Sequence, residues 1–353
     1  MKRLKIGKRW VGKGEPVLII AEAGVNHNGD IKLAHKLIDA AAEAGADAVK
    51  FQTFLTEESI GQKTPLAGHH LANVGKQMSH FDLIKKLELP FEKFAELKKH
   101  CEQKGVIFLS TPYDVFSAEF LIKLGCDAIK IASSELMNYP MLDVVRRSKR
   151  PVLLSTGMSR WNEIIDSIHF VGKFNKNICI LKCTSNYPAS PASINLRGIQ
   201  KLREEFPQYL IGFSDHSVGN EISLASLALD VVMIERHFTL DKQAWGPDHK
   251  ASLTPSELKY FVKEVRKVET ALGDINWDIQ AEETAQRKTM QKGVYARREI
   301  IKGERVRMED VKFLRPLGKI TPKEFFLRYH NRLLKKNVQV DAELIPAYFD
   351  GKT

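Results

Sequence analysis

The 353 residues exceed one ordinary domain, and 43% hydrophobic with 27% charged content describes a globular chain able to bury its own core. The 54 basic against 43 acidic residues leave a formal net charge of +11, but the basic ones are scattered (Lys98, Lys99, Arg146, Arg147 and the C-terminal part), so the surplus suits small anionic ligands and no nucleic acid is expected. No stretch approaches the ~18 apolar residues of a membrane span, and MKRLKIGKRW lacks the apolar segment of a signal peptide, so no membrane and a cytoplasmic location are expected.

Eight runs read as strands that open apolar and close polar: 17–24, 48–54, 106–113, 128–135, 151–158, 178–188, 210–217 and 231–240. Helical patterns separate them. Residues 30–44 place Leu33, Leu37, Ala40, Ala41 and Ala44 on one face, with Asp30 as N-cap and Gly45 at the end. Residues 91–104, 114–124 and 160–171 behave alike before Gly105, Gly125 and Gly172. The segment 55–80 is long and irregular, with Thr64-Pro65, Gly68-His69-His70, Asn73 and Gly75, and a loop of that length is more often functional than decorative. A helix over 254–272 ends this first domain at 1–272. A polar linker over 273–290 follows. From 291 to 353 short β-like runs broken by turns form a module near the lower size limit for independent folding.

Strand, helix, glycine, strand is the grammar of βα units, and eight of them predict an α/β fold of the (β/α)8 TIM-barrel type followed by a small β-rich domain. A doubly wound open sheet is the alternative, but no GxGxxG follows the first strand. The four cysteines (Cys101, Cys126, Cys179, Cys183) form no CxxC pair and read as buried reduced thiols, with Cys179 and Cys183 facing one side of a strand.

In a parallel barrel the C-terminal strand ends meet at one mouth, where the chemistry sits. Here those ends carry Glu22, Lys50, Gln52, Lys130, Ser133, Glu135, Ser214, His216 and His237. Residues two apart in a strand share a face, which pairs Lys50 with Gln52, Ser133 with Glu135, Ser185 with Tyr187 and Ser214 with His216. Lys130 and Ser133 differ in parity, so the fourth strand must turn if both serve one site. Lysines among hydroxyls suit a phosphate-bearing ligand; two histidines ending neighbouring strands suit a divalent metal with open positions. Taken singly, each residue has a plainer reading: Lys50 as a solvated charge, Glu22 as a helix cap, His216 and His237 as core histidines. Their convergence at one rim favours function.

Nine strings, in order, carry a resemblance: IAEAGVNHNGD, KFQTF, FLSTP, KIASSE, LSTGM, CTSNYP, FSDHS, ERHFTLD and GPDHKASL. Together they closely resemble the sialic acid synthase family, that is N-acetylneuraminate synthases and related nonulosonic acid synthases. The segment from 291 is similar to that family's antifreeze-like SAF domain. The resemblance implies condensation of phosphoenolpyruvate with an N-acylated mannosamine-type sugar and water, giving a nine-carbon 2-keto sugar acid and phosphate. It implies catalytic Glu22, Glu135, Lys50 and Lys130, and a phosphoenolpyruvate site of Lys50, Thr111, Lys130, Ser133, Ser155, Ser185 and Ser214. Gln52, Asn73, Tyr187, Asp248 and Arg315 are implied for the sugar, and His216 and His237 for manganese or magnesium. It further implies a homodimer whose swapped SAF domain covers the partner's site and brings Arg315 to the sugar's N-acyl group.

Two departures matter. Some members have Asn where this chain has Ser185, so Asn186 or a water is left to compensate, and some have KHQTH where this chain has Lys50-Phe51-Gln52-Thr53-Phe54. Legionaminic, pseudaminic and 9-phosphate synthases are the alternatives within the resemblance. Outside catalysis the alternative is an inactive carbohydrate-binding barrel scaffold. Which sugar is used, and whether it is phosphorylated, is not written in the sequence.

Overall fold

The computed structural model describes residues 2–66, 73–74, 78–275 and 277–351. Gly68, His69, His70 and Gly75 of the irregular segment lie outside the described residues. The chain divides into two compact units, Met1–Gly273 and Asp274–Thr353.

The first unit opens with a hairpin of β1 (Arg3–Ile6) and β2 (Arg9–Gly12). Eight parallel strands then close into a barrel: β3 (Leu18–Gly24), β4 (Ala48–Thr53), β5 (Ile107–Pro112), β6 (Ile129–Ile131), β7 (Val152–Ser155), β8 (Ile178–Cys183), β9 (Leu210–Asp215) and β10 (Met233–His237). β10 pairs with β3 to complete the ring. The TIM barrel expected from the eight runs is therefore the fold.

Strand parity sorts the residues. Ile19, Ala21, Val49, Phe51, Ile180 and Ile234 face the helices and join the large outer core. Leu18, Ile20, Ala48, Leu109, Leu153, Cys179, Leu181 and Met233 fill the barrel interior. Leu4, Ile6 and Val11 of the hairpin pack into that inner cluster, so the basic N-terminal segment plugs the barrel floor. Its alternation of Lys and Arg with apolar residues is a half-buried strand pattern.

The helices begin and end as local chemistry dictates. Asp30 caps Ile31–Glu43, Asp114 caps Val115–Leu124, and Thr254 forms a capping box on Pro255–Leu272. Gly105 and Gly125 end their helices in the left-handed conformation. Gly172 corrects the expectation for 160–171: it stays inside the helix Trp161–Gly172, and Lys173 is the cap. The Gly172 position has no room for a side chain, because the Tyr209 hydroxyl occupies it. All four cysteines are buried and free.

His27, in the first βα loop, is buried and accepts the Gly29 N–H on Nδ1 at 3.0 Å. Burial holds its pKa down at about 4 against an ordinary 6.5, with Asp30 opposing. The unfolded chain therefore takes up this proton first, so the stabilisation is complete above pH 6.5 and is lost as pH falls toward 4. The span corresponds to roughly 3 kcal/mol. His27→Gln is expected to flatten that part of the acid limb, read as the difference in denaturant-unfolding free energy between pH 7 and pH 4.5. An unchanged slope would refute it.

The second unit has its own core, with Val294, Ile300, Val306, Phe325, Leu334 and Leu344 buried together. Gly293–Ala296 and Val311–Leu314 pair antiparallel across it. It opens with the exposed helix Ala281–Met290, inside the stretch expected as a linker. Among the described residues no helix is long and apolar enough to cross a membrane.

Candidate active site

Following the inward parity up each strand leads from apolar residues to a polar rim. Leu18 and Ile20 lead to Glu22; Ala48 leads to Lys50 and Gln52; Leu109 leads to Thr111; Ala128 leads to Lys130. Leu153 leads to Ser155, Leu181 to Cys183, Gly212 to Ser214, and Met233 to Glu235 and His237. Register locks neighbours side by side: Glu22 pairs with both Lys50 and His237, Gln52 with Thr111, and Ser214 with Glu235. The site is thus the last inward layers of the barrel.

These side chains line one cavity of about 80 Å³, joined by Ser133, Ser134, Ser185, Tyr187 and His216 from the loops. Ser185 lines it and Asn186 does not. The cavity's electrostatic centre is buried. Lys50 Nζ lies 2.6 Å from Glu22 and 3.7 Å from Glu235, and donates to Thr111 Oγ1 at 2.9 Å. Lys130 Nζ lies 3.9 Å from Glu235, which also accepts from the Ser214 hydroxyl at 3.0 Å. Gln52 donates to Glu22 at 3.3 Å.

Burial pushes Glu22 up to about 7, with Lys50 opposing and Glu235 reinforcing. Glu235 resists the same burial because both lysines face it, and is held down at about 2. Burial presses on Lys50 too, but Glu22 and Glu235 outweigh it and keep the ammonium charged. Lys130 is lowered, since burial and the Lys50 charge together exceed the pull of Glu235. The site therefore holds one firm negative charge between two cations, next to a carboxyl poised near neutrality.

The fourth strand ends at Ile131, and Ser133–Glu135 forms a 3-10 turn. That turn supplies the break that the parity of Lys130 and Ser133 requires. It also corrects the extended pairing of Ser133 with Glu135: Ser133 lines the inner cavity, while Glu135 accepts from Asn138 at 2.9 Å and lines an adjoining outer one. Ser133 in turn accepts the Gly157 N–H at 3.0 Å. A Cβ on Gly157 would lie 2.2 Å from Ser185 Oγ and 2.8 Å from Ser133 Oγ, so a side chain there would turn both hydroxyls out of their present places.

His216 and His237 sit with ring centroids 5.3 Å apart and Tyr187 against both. His216 donates Nδ1–H to the Thr184 carbonyl at 2.9 Å, and although burial works against its charge, Cys183 and the Thr184 carbonyl raise its pKa, so Nε2 offers a lone pair to an ion only once that proton is lost. His237 is held neutral, well below its ordinary pKa, by burial and by the neighbouring His216 and Lys50 charges, and its Nδ1 is buried with no hydrogen-bond partner. Neutral imidazole is the ligand form. Among the described residues no group of three His, Cys, Asp or Glu is placed to hold an ion. His216 and His237 are the two imidazoles at this rim that could share an ion.

The outer cavity, about 410 Å³, brings in Asp248 beside Gln52, Glu135, Tyr187 and His237. Burial raises Asp248 to about 6, with His216 opposing. Asn73 lines neither cavity; its amide donates to the Pro247 carbonyl, one residue before Asp248. Arg315 lies on the exposed surface of the second unit. Reading strand ends alone overlooked Glu235 and Cys183. Both are inward by parity, two residues before His237 and Ser185. Cys183 Sγ sits 3.8 Å from His216 Nδ1, whose charge outweighs burial and lowers the thiol to about 7.

A family model described as the NeuB family matches residues 37–276. An N,N'-diacetyllegionaminic acid synthase of Campylobacter jejuni is 39% identical over 93% of this chain and 98% of that protein. The human N-acetylneuraminate-9-phosphate synthase is 36% identical over 95% of this chain and 92% of its own length. Among solved structures, the N-acetylneuraminic acid synthetase of Leptospira borgpetersenii superposes with a TM-score of 0.72 at 34% identity, over 81% of this chain and 95% of that one.

Proposed function

We propose, from the premise that this chain belongs to the NeuB family of sialic and related nonulosonic acid synthases, that it condenses phosphoenolpyruvate with an N-acylated, non-phosphorylated mannosamine-type sugar to give a nine-carbon 2-keto sugar acid and phosphate. The observation that carries this reading is the buried Glu22–Lys50–Glu235–Lys130 cluster, ringed by hydroxyls and two imidazoles in one cavity.

Phosphoenolpyruvate carries a carboxylate and a phosphate on three carbons. Lys50 and Lys130 supply the charge to hold it, and Thr111, Ser133, Ser155, Ser185 and Ser214 supply hydroxyl donors. Ser155 Oγ is buried without a partner, a donor kept for a ligand. The sugar occupies the outer cavity, with Gln52, Tyr187 and Asp248 at its hydroxyls and Asn73 bracing the loop at Pro247. The enol's methylene carbon attacks the sugar aldehyde, and Glu135 delivers a proton to the new alkoxide. Water then adds to the enol-derived C2, with Glu22 accepting its proton, and C–O cleavage of the hemiketal phosphate releases phosphate. His216 and His237 would hold a manganese or magnesium ion, which supplies Lewis-acid polarisation of the aldehyde oxygen. Glu22 suits proton transfer because its pKa lies near 7.

The test is phosphate release from phosphoenolpyruvate that requires both an N-acylated hexosamine and a divalent ion. No release across a panel of such sugars would favour a carbohydrate-binding scaffold. Arg315 and the swapped homodimer rest on the resemblance. Arg315→Ala should raise the KM for the sugar severalfold with kcat nearly kept, because it removes binding remote from the bond being made. An effect confined to the KM for phosphoenolpyruvate would reject that role.

A further inference from the structure

A side cavity of about 510 Å³ lies beside the catalytic one, bounded by the chain just after β7 and by the end of β8. The two meet at Met158, Cys183 and Ser185, which line both. Met158 stands at that border in the left-handed region, with φ at 50°, a conformation that a side chain other than glycine rarely takes. The cavities differ in charge. Glu22 and Glu235 balance the lysines of the catalytic one. Among the described residues no aspartate or glutamate lines the side cavity, whereas Lys182 and Lys201 do. Lys182 follows the inward Leu181 in β8, so parity turns it away from the catalytic cavity. Its ammonium donates to the Cys183 carbonyl at 3.0 Å and to Thr184 Oγ1 at 3.1 Å, which leaves a third N–H for a further acceptor. Burial lowers its pKa, and only the Cys183 charge opposes that. Lys201 is held over the Trp161 ring, 4.0 Å from the centroid. The remaining wall is Trp161, Ile164 and Leu202 with hydroxyls, of which those of Thr156, Ser159 and Ser193 donate to backbone carbonyls.

We propose that the side cavity is a second anion subsite, which takes the orthophosphate set free in the catalytic cavity while the sugar acid still fills the mouth. This rests on the synthase reading above and adds where the smaller product goes. Phosphate is released at the inner end, beneath a nine-carbon acid that extends into the outer cavity. The outward route is then blocked, and its charges are wrong for a dianion. Glu135 and Asp248 line it, no lysine or arginine does among the described residues, and burial holds its two histidines, His80 and His237, toward neutrality. Sideways past Ser185 the anion meets two ammonium groups and no acid. A desolvated phosphate is stable only where such charge-assisted donors replace its water.

The experiment is calorimetric titration of orthophosphate into the full chain already saturated with phosphoenolpyruvate, with magnesium present and no sugar. Phosphate should still bind, since its subsite is separate from the one the donor fills. Lys182→Met should weaken that binding by about tenfold or more, the usual loss for a hydrogen bond to a charged group. Lys201→Met, a substitution on the surface, should weaken it severalfold and covers the case in which Lys182→Met disturbs β8. Titration of phosphoenolpyruvate itself into both variants should give a nearly unchanged affinity. Phosphate that binds only when phosphoenolpyruvate is absent would overturn the subsite, as would an affinity that neither substitution moves. A parallel loss of phosphoenolpyruvate affinity in both variants would also overturn it, by assigning the lysines to the catalytic cavity. Each of those results leaves the synthase reading standing, whereas an unsubstituted enzyme that binds no phosphoenolpyruvate removes both.

Discussion

Lys50→Met should lower kcat/KM for phosphoenolpyruvate by about 10³ or more, while the single variant also loses stability. Both effects follow from where the ammonium sits. It is 2% exposed, and two carboxylates and a threonine hydroxyl converge on it. Removing one partner of a buried ion pair typically costs about 3–5 kcal/mol, because the other charge stays buried and unpaired. Here part of that penalty is avoidable: Glu22 already titrates near 7, so without Lys50 it binds a proton and becomes neutral. Glu235 keeps Lys130 at 3.9 Å as its counter-ion. The loss of stability should therefore fall below the usual range at pH 6 and grow as pH rises to 8. Adding Glu22→Gln to Lys50→Met should restore most of the thermal stability and none of the activity. Unfolding temperatures of the two single variants and the double, set beside kcat/KM, separate the structural pair from the substrate's charge partner. A Lys50→Met enzyme with undiminished kcat/KM would show that the cluster is structural only.

The fold was legible because the barrel strands alternate inward and outward residues with a period of two, and several helices carry their own caps or glycine stops, Asp30, Asp114, Gly105 and Gly125 among them. The same period extends to the site. Once His237 is placed inward, Glu235 must be inward as well, and Leu181 inward in β8 places Cys183 inward at its end. Parity failed where the backbone leaves the extended state. Ser133–Glu135 turns as a 3-10 helix, so the spacing that pairs two residues in a strand there sends them to different cavities. The hairpin of residues 3–12 was hidden by its charge: Arg3, Lys5 and Arg9 mask the alternation of Leu4, Ile6 and Val11. Asn73 and Arg315 follow from no period at all. One lies in the segment 55–80 that the sequence reads as irregular and the other on a separate unit, and neither position is dictated by the barrel's register.

His237→Ala is the variant expected to separate ion binding from folding. The imidazole is buried and neutral, and its Nδ1 has no hydrogen-bond partner. Its burial is therefore poorly compensated in the folded chain, and truncation removes an unsatisfied polar atom along with ring packing against Tyr187. Those terms oppose one another, so a shift of only a few degrees in Tm is expected. Ion affinity should behave differently. With only His216 left of the imidazole pair, manganese affinity should fall by at least about tenfold. A Lewis acid contributes several kcal/mol to the transition state, so kcat should fall by roughly 10³. The measurements are a manganese titration followed by electron paramagnetic resonance, and steady-state rates at saturating sugar and phosphoenolpyruvate. His216→Ala offers the comparison. That ring is tied to the Thr184 carbonyl and packs tilted against Tyr187, with ring centroids 4.1 Å apart, so its loss should disturb both stability and ion binding. If His237→Ala kept manganese affinity and rate while His216→Ala lost both, the two-imidazole site would be wrong, and His237 would be a core histidine at the barrel rim.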